Sequence, residues 1–443
     1  MKIIPFRGYR YNRSIVEKLE DVISPPYDQY KEGLVDCLCD RHPYNIARII
    51  MNKESSSDTE QDNRYTRSKI ILDQWVKNQI FIQDEASSVY PYFQNYLVGK
   101  EELCRKGFIA LGEVTDYAMR IVLPHERTLA KPKEDRLNLL RTTLADTGLV
   151  FMLYSDPAGD IEKLLDQAAA FPPLVNTLDL NQEVNQIWRL SDPRLIREIQ
   201  DLMSKKTVII ADGHHRYEVA HMFKQEVAPK VDQDGRWKFF NYKLMSFVRM
   251  ESTGITVFPI HRLVYALKGF DAMKLIEGLK EHFVVEDYPI HSDNQYSTLD
   301  FLIKLSRKQQ RAEANALVLY VPSLRRFMLL KLKADGADRV QWPADKSKTW
   351  RKLDVSILQV MILRDILGIT DQELTDQSHL EYVSHHEEAV NTADKKGYHC
   401  AFLLNPTPVE MVKEVVEAGD TLPQKSTHFH PKLMEGLVFA KHL

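Results

Sequence analysis

Cysteine is scarce in this chain: four residues of 443, at Cys37, Cys39, Cys104 and Cys400. The Cys37-x-Cys39 spacing is too tight for a zinc knuckle and has no second pair, so the thiols read as reduced, in a cytoplasmic protein. No stretch reaches the roughly 18 consecutive apolar residues of a membrane span. The opening MKIIPFRGYRYN has no long apolar region behind its charges, so no signal peptide and no membrane partner are expected. Charge of one sign is also missing. The net charge is −3, and acids are mixed among short basic clusters such as Lys131–Arg141. That balance argues against a broad nucleic-acid footprint. A Gly-x-x-x-x-Gly-Lys-Ser/Thr loop is absent, which rules out only the ordinary P-loop route to nucleotides.

The length suggests about three domains, and an apolar content of 44% supports sizeable cores. Three segments can be drawn: 1–104, 105–265 and 266–443. The first carries VISPPYD, Val22–Asp28. Its paired prolines stiffen a loop that can present Tyr27 and Asp28, or simply connect two elements. A helix over 64–78 and a strand over 90–98 follow. In the second segment, strands are expected at 107–115, 120–123, 149–154, 186–190, 207–211, 238–249 and 255–259. Helices are expected at 132–144, 160–170, 193–204 and 215–227. The third mixes helices at 271–282, 296–307 and 354–367 with strands at 316–321, 327–333 and 398–404. Without regular βαβ repetition, the class is α+β.

The densest polar signal is ADGHHRYEVA, Ala211–Ala220. Thr207-Val208-Ile209-Ile210 precedes it as a β-branched strand, and Val219, Met222 and Phe223 follow at helical spacing. One turn therefore gathers Asp212, Gly213, His214, His215 and Arg216. A helix N-terminus suits a phosphate, and an arginine fork suits the same anion. The plain alternatives are that Asp212 caps the helix by accepting the N–H of His215, that Gly213 only permits the turn, and that one histidine packs.

A second constellation is LPHERTLAKPKEDRLNLLRTTL, Leu123–Leu144. His125, Glu126 and Arg127 sit ahead of a helix that Pro132 suits at its first turn. Leu137, Leu140 and Leu144 mark its core stripe. Asp135, Arg136 and Arg141 lie on the other face, which reads most simply as solvated. In PQKSTHFHPKL, Pro423–Leu433, Lys425, Ser426 and Thr427 offer an ammonium and two hydroxyls to a substrate anion, or cap a helix starting near Pro431. His261-Arg262 in FPIHRLV either faces the same cleft or forms a satisfied pair at a sheet edge.

A His-Glu loop, then a helix, a strand and a DGHHR turn opening a helix resemble the ParB/sulfiredoxin fold. The phosphate-holding Gly-x-x-Arg-x-x-Ala turn of that fold matches Gly213, Arg216 and, one place late, Ala220. The version most similar is that of the free-serine kinases, where an upstream acid is the base and the Asp-Gly-His-His-Arg turn handles phosphate and metal. The resemblance implies Glu126 as base and Asp212, His214, His215 and Arg216 as the phosphate and metal group. The chain also resembles a bacterial and archaeal family, the domain-of-unknown-function family ten-fifteen. Five stretches carry that likeness: VISPPYD, PHERT…KEDRLNLLR, ADGHHRYEVA, FPIHRLV and PQKSTHFHPKL. Family members often have aromatics where His428 and His430 stand here.

The leading expectation is a small-molecule phosphotransferase, working with Mg²⁺ and ATP or ADP on the hydroxyl of serine or a similar metabolite, in either direction. Glu126 takes the hydroxyl proton, Asp212 holds Mg²⁺, and His214, His215 and Arg216 stabilise the moving phosphoryl group. Gly213, His125 and Arg127 join the nucleotide side. Asp28, Tyr27, Lys425 and Ser426 join the substrate side. Two alternatives stand beside it. One is a ParB-like nucleotide-binding scaffold. The other is metal-dependent hydrolysis with His125, Asp212, His214 and His215 as ligands. A homodimer stays open as a partner.

Overall fold

The computed structural model describes residues 1–126, 131–228, 238–291 and 294–441. Arg127, one of the expected nucleotide-side residues, lies outside them. The fold is α+β and falls into two compact units. The first comprises Met1–Pro124, Thr128–Ile255 and Pro431–Leu443, and the second His125–Arg127 and Thr256–His430. The units interleave in sequence, whereas the segments 1–104, 105–265 and 266–443 are consecutive. The strands Tyr90–Val98 and Glu101–Glu113, which straddle the 104/105 division, pair antiparallel along one hairpin. Among the described residues no helix is long and apolar enough to cross a membrane.

The first unit is built on a mixed sheet. Its strands run in the order Val122–Pro124, Val208–Asp212, Val150–Tyr154, Tyr242–Arg249, Glu101–Glu113, Tyr90–Val98, Val184–Ile187 and Val175–Leu178, with Ile3–Ile4 also on Glu101–Glu113. Val208–Asp212 runs parallel to Val122–Pro124 and antiparallel to Val150–Tyr154. Val150, Met152, Val208, Ile210, Phe108 and Phe247 form the core with helices Asp160–Ala169 and Pro193–Ser204. Those helices bury Ile161, Leu164 and Leu165, and Ile196, Ile199 and Met203, the stripes their sequence periodicity requires. Helices Lys131–Thr143 and His214–Val227 pack together through Leu137, Val219 and Phe223.

The second unit carries an antiparallel six-stranded sheet, ordered Phe283–Pro289, Arg326–Leu332, Ala316–Val321, Cys400–Leu403, His261–Val264 and Leu380–Val383. One face packs Leu263, Val318, Leu329 and Leu403 against Leu299, Leu302, Ala389 and Val390, which belong to helices Gln295–Arg311 and His386–Lys396. His261–Val264 is an interior strand, so the edge-pair reading of His261-Arg262 does not hold.

Three further expectations change. The helix expected over 354–367 is one α-turn, Asp354–Ile357, continuing into a π-helix, Leu358–Ile366. The first residues of the strand expected from Lys238 form a 3₁₀ turn, Lys238–Asn241. No helix starts near Pro431. The strand His428–His430 pairs with Thr256–Phe258, and the described residues after it form no helix, so Lys425, Ser426 and Thr427 cap none there.

Candidate functional site

The strand Val208–Asp212 carries a β-bulge beside its end. Ile210 registers with Met152, but Asp212 registers with Phe151, two residues for one. A bulge re-aims the side chain that follows it. Gly213 then takes φ +89°, a left-handed conformation that glycine adopts without a Cβ penalty, and it is the N-cap of helix His214–Val227. Gly213, as the N-cap residue, brings no side chain of its own to the helix. Asp212 is thus the last strand residue and not the cap, which removes the capping reading. The glycine turn opens a helix N-terminus, the end of a helix at which an anion is favoured.

Around this turn the first unit gathers a charged cluster. Lys432 Nζ pairs with Asp212 Oδ2 at 2.8 Å. Burial alone would push the Asp212 carboxyl up, but Lys432, Arg216 and His214 outweigh it and hold the group well below the usual carboxylate range. Asp212 is therefore ionised at any physiological pH. Arg216 is buried. Its Nη1 donates to Leu149 O, and its Nη2 lies 3.5 Å from both oxygens of Asp28. The Tyr27 ring is sandwiched by charge, 5.8 Å from the Arg216 guanidinium and 4.5 Å from that of Arg136. The VISPPYD loop and the DGHHR turn therefore meet, through Asp28 and Tyr27 on Arg216.

Arg136 is not on a solvated face. Its side chain is 10% exposed, and it donates to Ile50 O at 2.7 Å and to Asp135. Lys243, buried near the start of the strand Tyr242–Arg249, pairs with Asp146 and donates to Gly148 O at 2.7 Å. Space is tight at Gly148: a Cβ would lie 3.2 Å from Arg216 Cδ and from Glu435 Oε1. Tyr27, Arg136, Asp146, Arg216, Lys243 and Glu435 line a cavity of about 60 Å³. Burial pushes the Glu435 carboxyl up to about 7, against the pull of Arg216 and Arg136. Sequence reasoning missed Arg136, Lys243, Lys432 and Glu435. The one signal for Lys243 was a lysine directly before the largely apolar run LMSFV. Lys432 and Glu435 sat unremarked at the end of the PQKST stretch.

Of the remaining expected residues, His125, Glu126, Lys425 and Ser426 belong to the second unit. Glu126 Oε1 accepts the backbone N–H of Ser426 at 3.0 Å. His125 is buried, with Nε2 2.8 Å from Thr427 Oγ1 and 3.7 Å from Glu126 Oε1. The Ser426 hydroxyl donates to Pro423 O at 2.5 Å, so it locks the loop. Lys425 is exposed, with φ +57°. His214 is buried and His215 half-buried at the start of their helix.

Asp212, His214 and His215 do not gather as a metal-donor set. Among the described residues the donor cluster of three or more is Asp300, His386 and Glu387, on the surface of the second unit. A four-ligand hydrolytic centre drawing on Asp212, His214 and His215 therefore lacks the geometry. Asp212 offers a carboxylate oxygen to a cation, but Lys432 already pairs with it and Arg216 adds further positive charge.

These features define an α+β protein with a strand–glycine–helix turn set in a buried cluster of arginine, lysine and carboxylate. The chain belongs to the family described as "Protein of unknown function (DUF1015)", which matches residues 3–356. Four of the five stretches quoted above fall inside that match, and Pro423–Leu433 falls beyond it. No curated protein matches the chain. Among solved structures it is similar to a conserved hypothetical protein from Pyrococcus furiosus, at 14% identity over 72% of this chain and 90% of that one, TM-score 0.33. A free serine kinase in complex with AMP shares 14% identity over 72% of this chain and 86% of that one, TM-score 0.35. SbnI with C-terminal truncation, from Staphylococcus aureus, shares 9% identity over 74% and 85%, TM-score 0.34.

Proposed function

We propose that this chain is a small-molecule phosphotransferase that moves a phosphoryl group between a nucleotide and the hydroxyl of serine or a similar small metabolite, in either direction. The observation that carries the reading is the turn Asp212–Arg216. It is a helix N-terminus with a left-handed glycine as its N-cap, flanked by a buried arginine and by Lys432. Such a terminus offers N–H donors and a positive dipole end to a phosphate. Arg216 is held only loosely by Asp28, at 3.5 Å, so its fork can be shared with an incoming anion.

The motif resemblance to free-serine kinases supports the same reading, and a ParB/sulfiredoxin-like core is part of the proposal. Gly213 and Arg216 receive the phosphates, and His214 and His215 neutralise charge beside them. Asp212 with the phosphates holds Mg²⁺, which supplies further charge neutralisation. Glu126 is the base for the acceptor hydroxyl, with His125 beside it. Asp28, Tyr27 and Lys425 are assigned to the substrate side. Ser426 positions the loop instead, since its hydroxyl and N–H are both committed.

The test is ³¹P NMR of the protein with Mg²⁺, ATP or ADP, and serine or phosphoserine, beside Glu126→Gln and Arg216→Ala. Phosphoryl movement between nucleotide and serine is expected, lost in Glu126→Gln with nucleotide binding retained, and weakened at the binding step in Arg216→Ala. Unchanged phosphorus signals in every mixture would refute the activity. Phosphate release without nucleotide would replace it with hydrolysis.

A further inference from the structure

Side chains on the strand His261–Val264 alternate between the two faces of the sheet in the second unit. Leu263 faces the core built with helices Gln295–Arg311 and His386–Lys396. Arg262 faces the other way. It registers directly with Tyr382 on one neighbouring strand and with Phe402 on the other, and Val264 registers with Leu380. Every neighbour on that face is apolar or aromatic, so the alternation calls for an apolar residue at position 262. An arginine stands there, 4% exposed.

Its partners are few. Nη1 donates to Ile260 O and Nη2 to Gln424 O at 3.3 Å, and the Tyr382 ring lies 5.5 Å from the guanidinium carbon. No described carboxylate forms an ion pair with it. Burial pulls its pKa below the ordinary value, and Tyr382 and Glu126, acting only through space, do not offset that. The neighbouring cations are committed: Lys346 to Asp345 at 3.0 Å and Asp420 at 3.4 Å, Arg364 to Asp365 at 2.6 Å. A buried charge with no acid partner is costly to keep.

Arg262 lines a cavity of about 340 Å³. Trp350, Val360, Leu363, Leu380 and Tyr382 give it apolar and aromatic walls. Val360 and Leu363 belong to the π-helix Leu358–Ile366, a widened helical turn of the kind found often at functional sites. The volume falls in the range of small-ligand pockets, and the rest of the lining is largely polar and charged, with Asp345, Lys346, Arg364 and Asp371 among the side chains that Arg262 joins.

We propose that this cavity binds a small organic anion, a carboxylate or a phosphate monoester carrying an apolar or aromatic body, and that Arg262 receives its charged group. The fork of Arg262 pairs with two anion oxygens, and the body packs against Trp350 and Tyr382. The site lies wholly in the second unit and uses neither the Asp212–Arg216 turn nor Glu126. It therefore stands or falls apart from the phosphotransferase reading.

The test is calorimetric titration of the full chain with phenyl phosphate, with benzoate and with uncharged benzyl alcohol. Saturable binding of at least one anion, and none of the alcohol, is expected. Phenyl phosphate alone identifies a phosphate ester site, and benzoate alone a carboxylate site. Arg262→Met should weaken the anion by about 30-fold or more, and Arg262→Lys should weaken it less, because charge survives without the fork. Without ligand, Arg262→Met should unfold at the same urea concentration as the parent or a higher one, because a buried unpaired charge is gone. Binding of neither anion, equal binding of the alcohol, or undiminished binding by Arg262→Met overturns the proposal. So does an Arg262→Met chain that unfolds far earlier than the parent, which would make the arginine a structural element. If Arg262→Met fails to fold at all, undiminished binding by Arg262→Lys still overturns it.

Discussion

Glu435 offers the sharpest test of the buried cluster in the first unit. It is 3% exposed and lines the small cavity shared with Tyr27, Arg136, Arg216 and Lys243. Burial raises its carboxyl from 4.5 to about 7, so the folded protein binds this proton more tightly than the unfolded chain does. The sign follows from linkage. The contribution is fully present below about pH 4.5 and is lost as pH rises through about 7. At about 1.4 kcal/mol per pH unit, the loss across that window is about 3 kcal/mol. Glu435→Gln keeps the shape and hydrogen-bonding body of the protonated acid and removes the titration. Urea unfolding of parent and variant at pH 5 and pH 8 measures it. The two should be nearly equal at pH 5, with the variant more stable by up to about 3 kcal/mol at pH 8. Asp179 and Asp354, each also raised to about 6, push the slope the same way but are present in both proteins and cancel. Parallel pH dependences would refute the reasoning. They would mean that Arg216 and Arg136 keep Glu435 ionised and that the cluster is a fully paired charge network.

Two further outcomes follow from the same geometry. Gly213→Ala forces a Cβ onto φ +89°, 3.4 Å from Arg216 Cζ and from Val150 Cα, and should cost about 1–2 kcal/mol in urea unfolding, with a weaker nucleotide dissociation constant. A change below a few tenths of a kcal/mol would show that the turn is not held by that conformation. The double variant Asp28→Ala, Lys425→Ala should raise the Michaelis constant for the small substrate in the phosphoryl-transfer assay, and an unchanged value assigns both residues to the scaffold.

The α+β class and most elements were legible because their signals are local. Pro193 after Asp192 starts the helix Pro193–Ser204, and the β-branched run before Asp212 is a strand. The turn itself was legible as a cluster of residue types. What was not legible is non-local. The bulge between Ile210 and Asp212 depends on register with Val150–Tyr154, which periodicity within one strand cannot report. Arg136 looked like a solvated helix face because Tyr27 and Ile50, which cover it, lie far back in the sequence. The helix expected after Pro431 failed because prolines allow a helix start without compelling one, and a strand pairing with Thr256–Phe258 took the preceding residues. The π-helix arises over an apolar run that reads equally well at a 3.6-residue period.

Two buried arginines in this chain carry opposite lessons about where binding energy resides. Arg216 sits among Asp28, Asp212 and Glu435, which together raise its pKa against burial, so the folded protein already stabilises its charge. An anion arriving there must share the guanidinium with Asp28, and its gain is limited to what a 3.5 Å contact leaves unused. Arg262 has carbonyls and an aromatic face but, among the described residues, no acid in an ion pair, and burial wins over its surroundings, Glu126 included. An anion arriving there gains a desolvated, unshared cation, the circumstance in which a charge-assisted pair is strongest. Removal should therefore act oppositely on the two. Truncating Arg216 strands carboxylates that folding has paired, so it should destabilise the chain as well as weaken nucleotide. Truncating Arg262 strands nothing, so its loss should fall on ligand affinity and leave the fold intact.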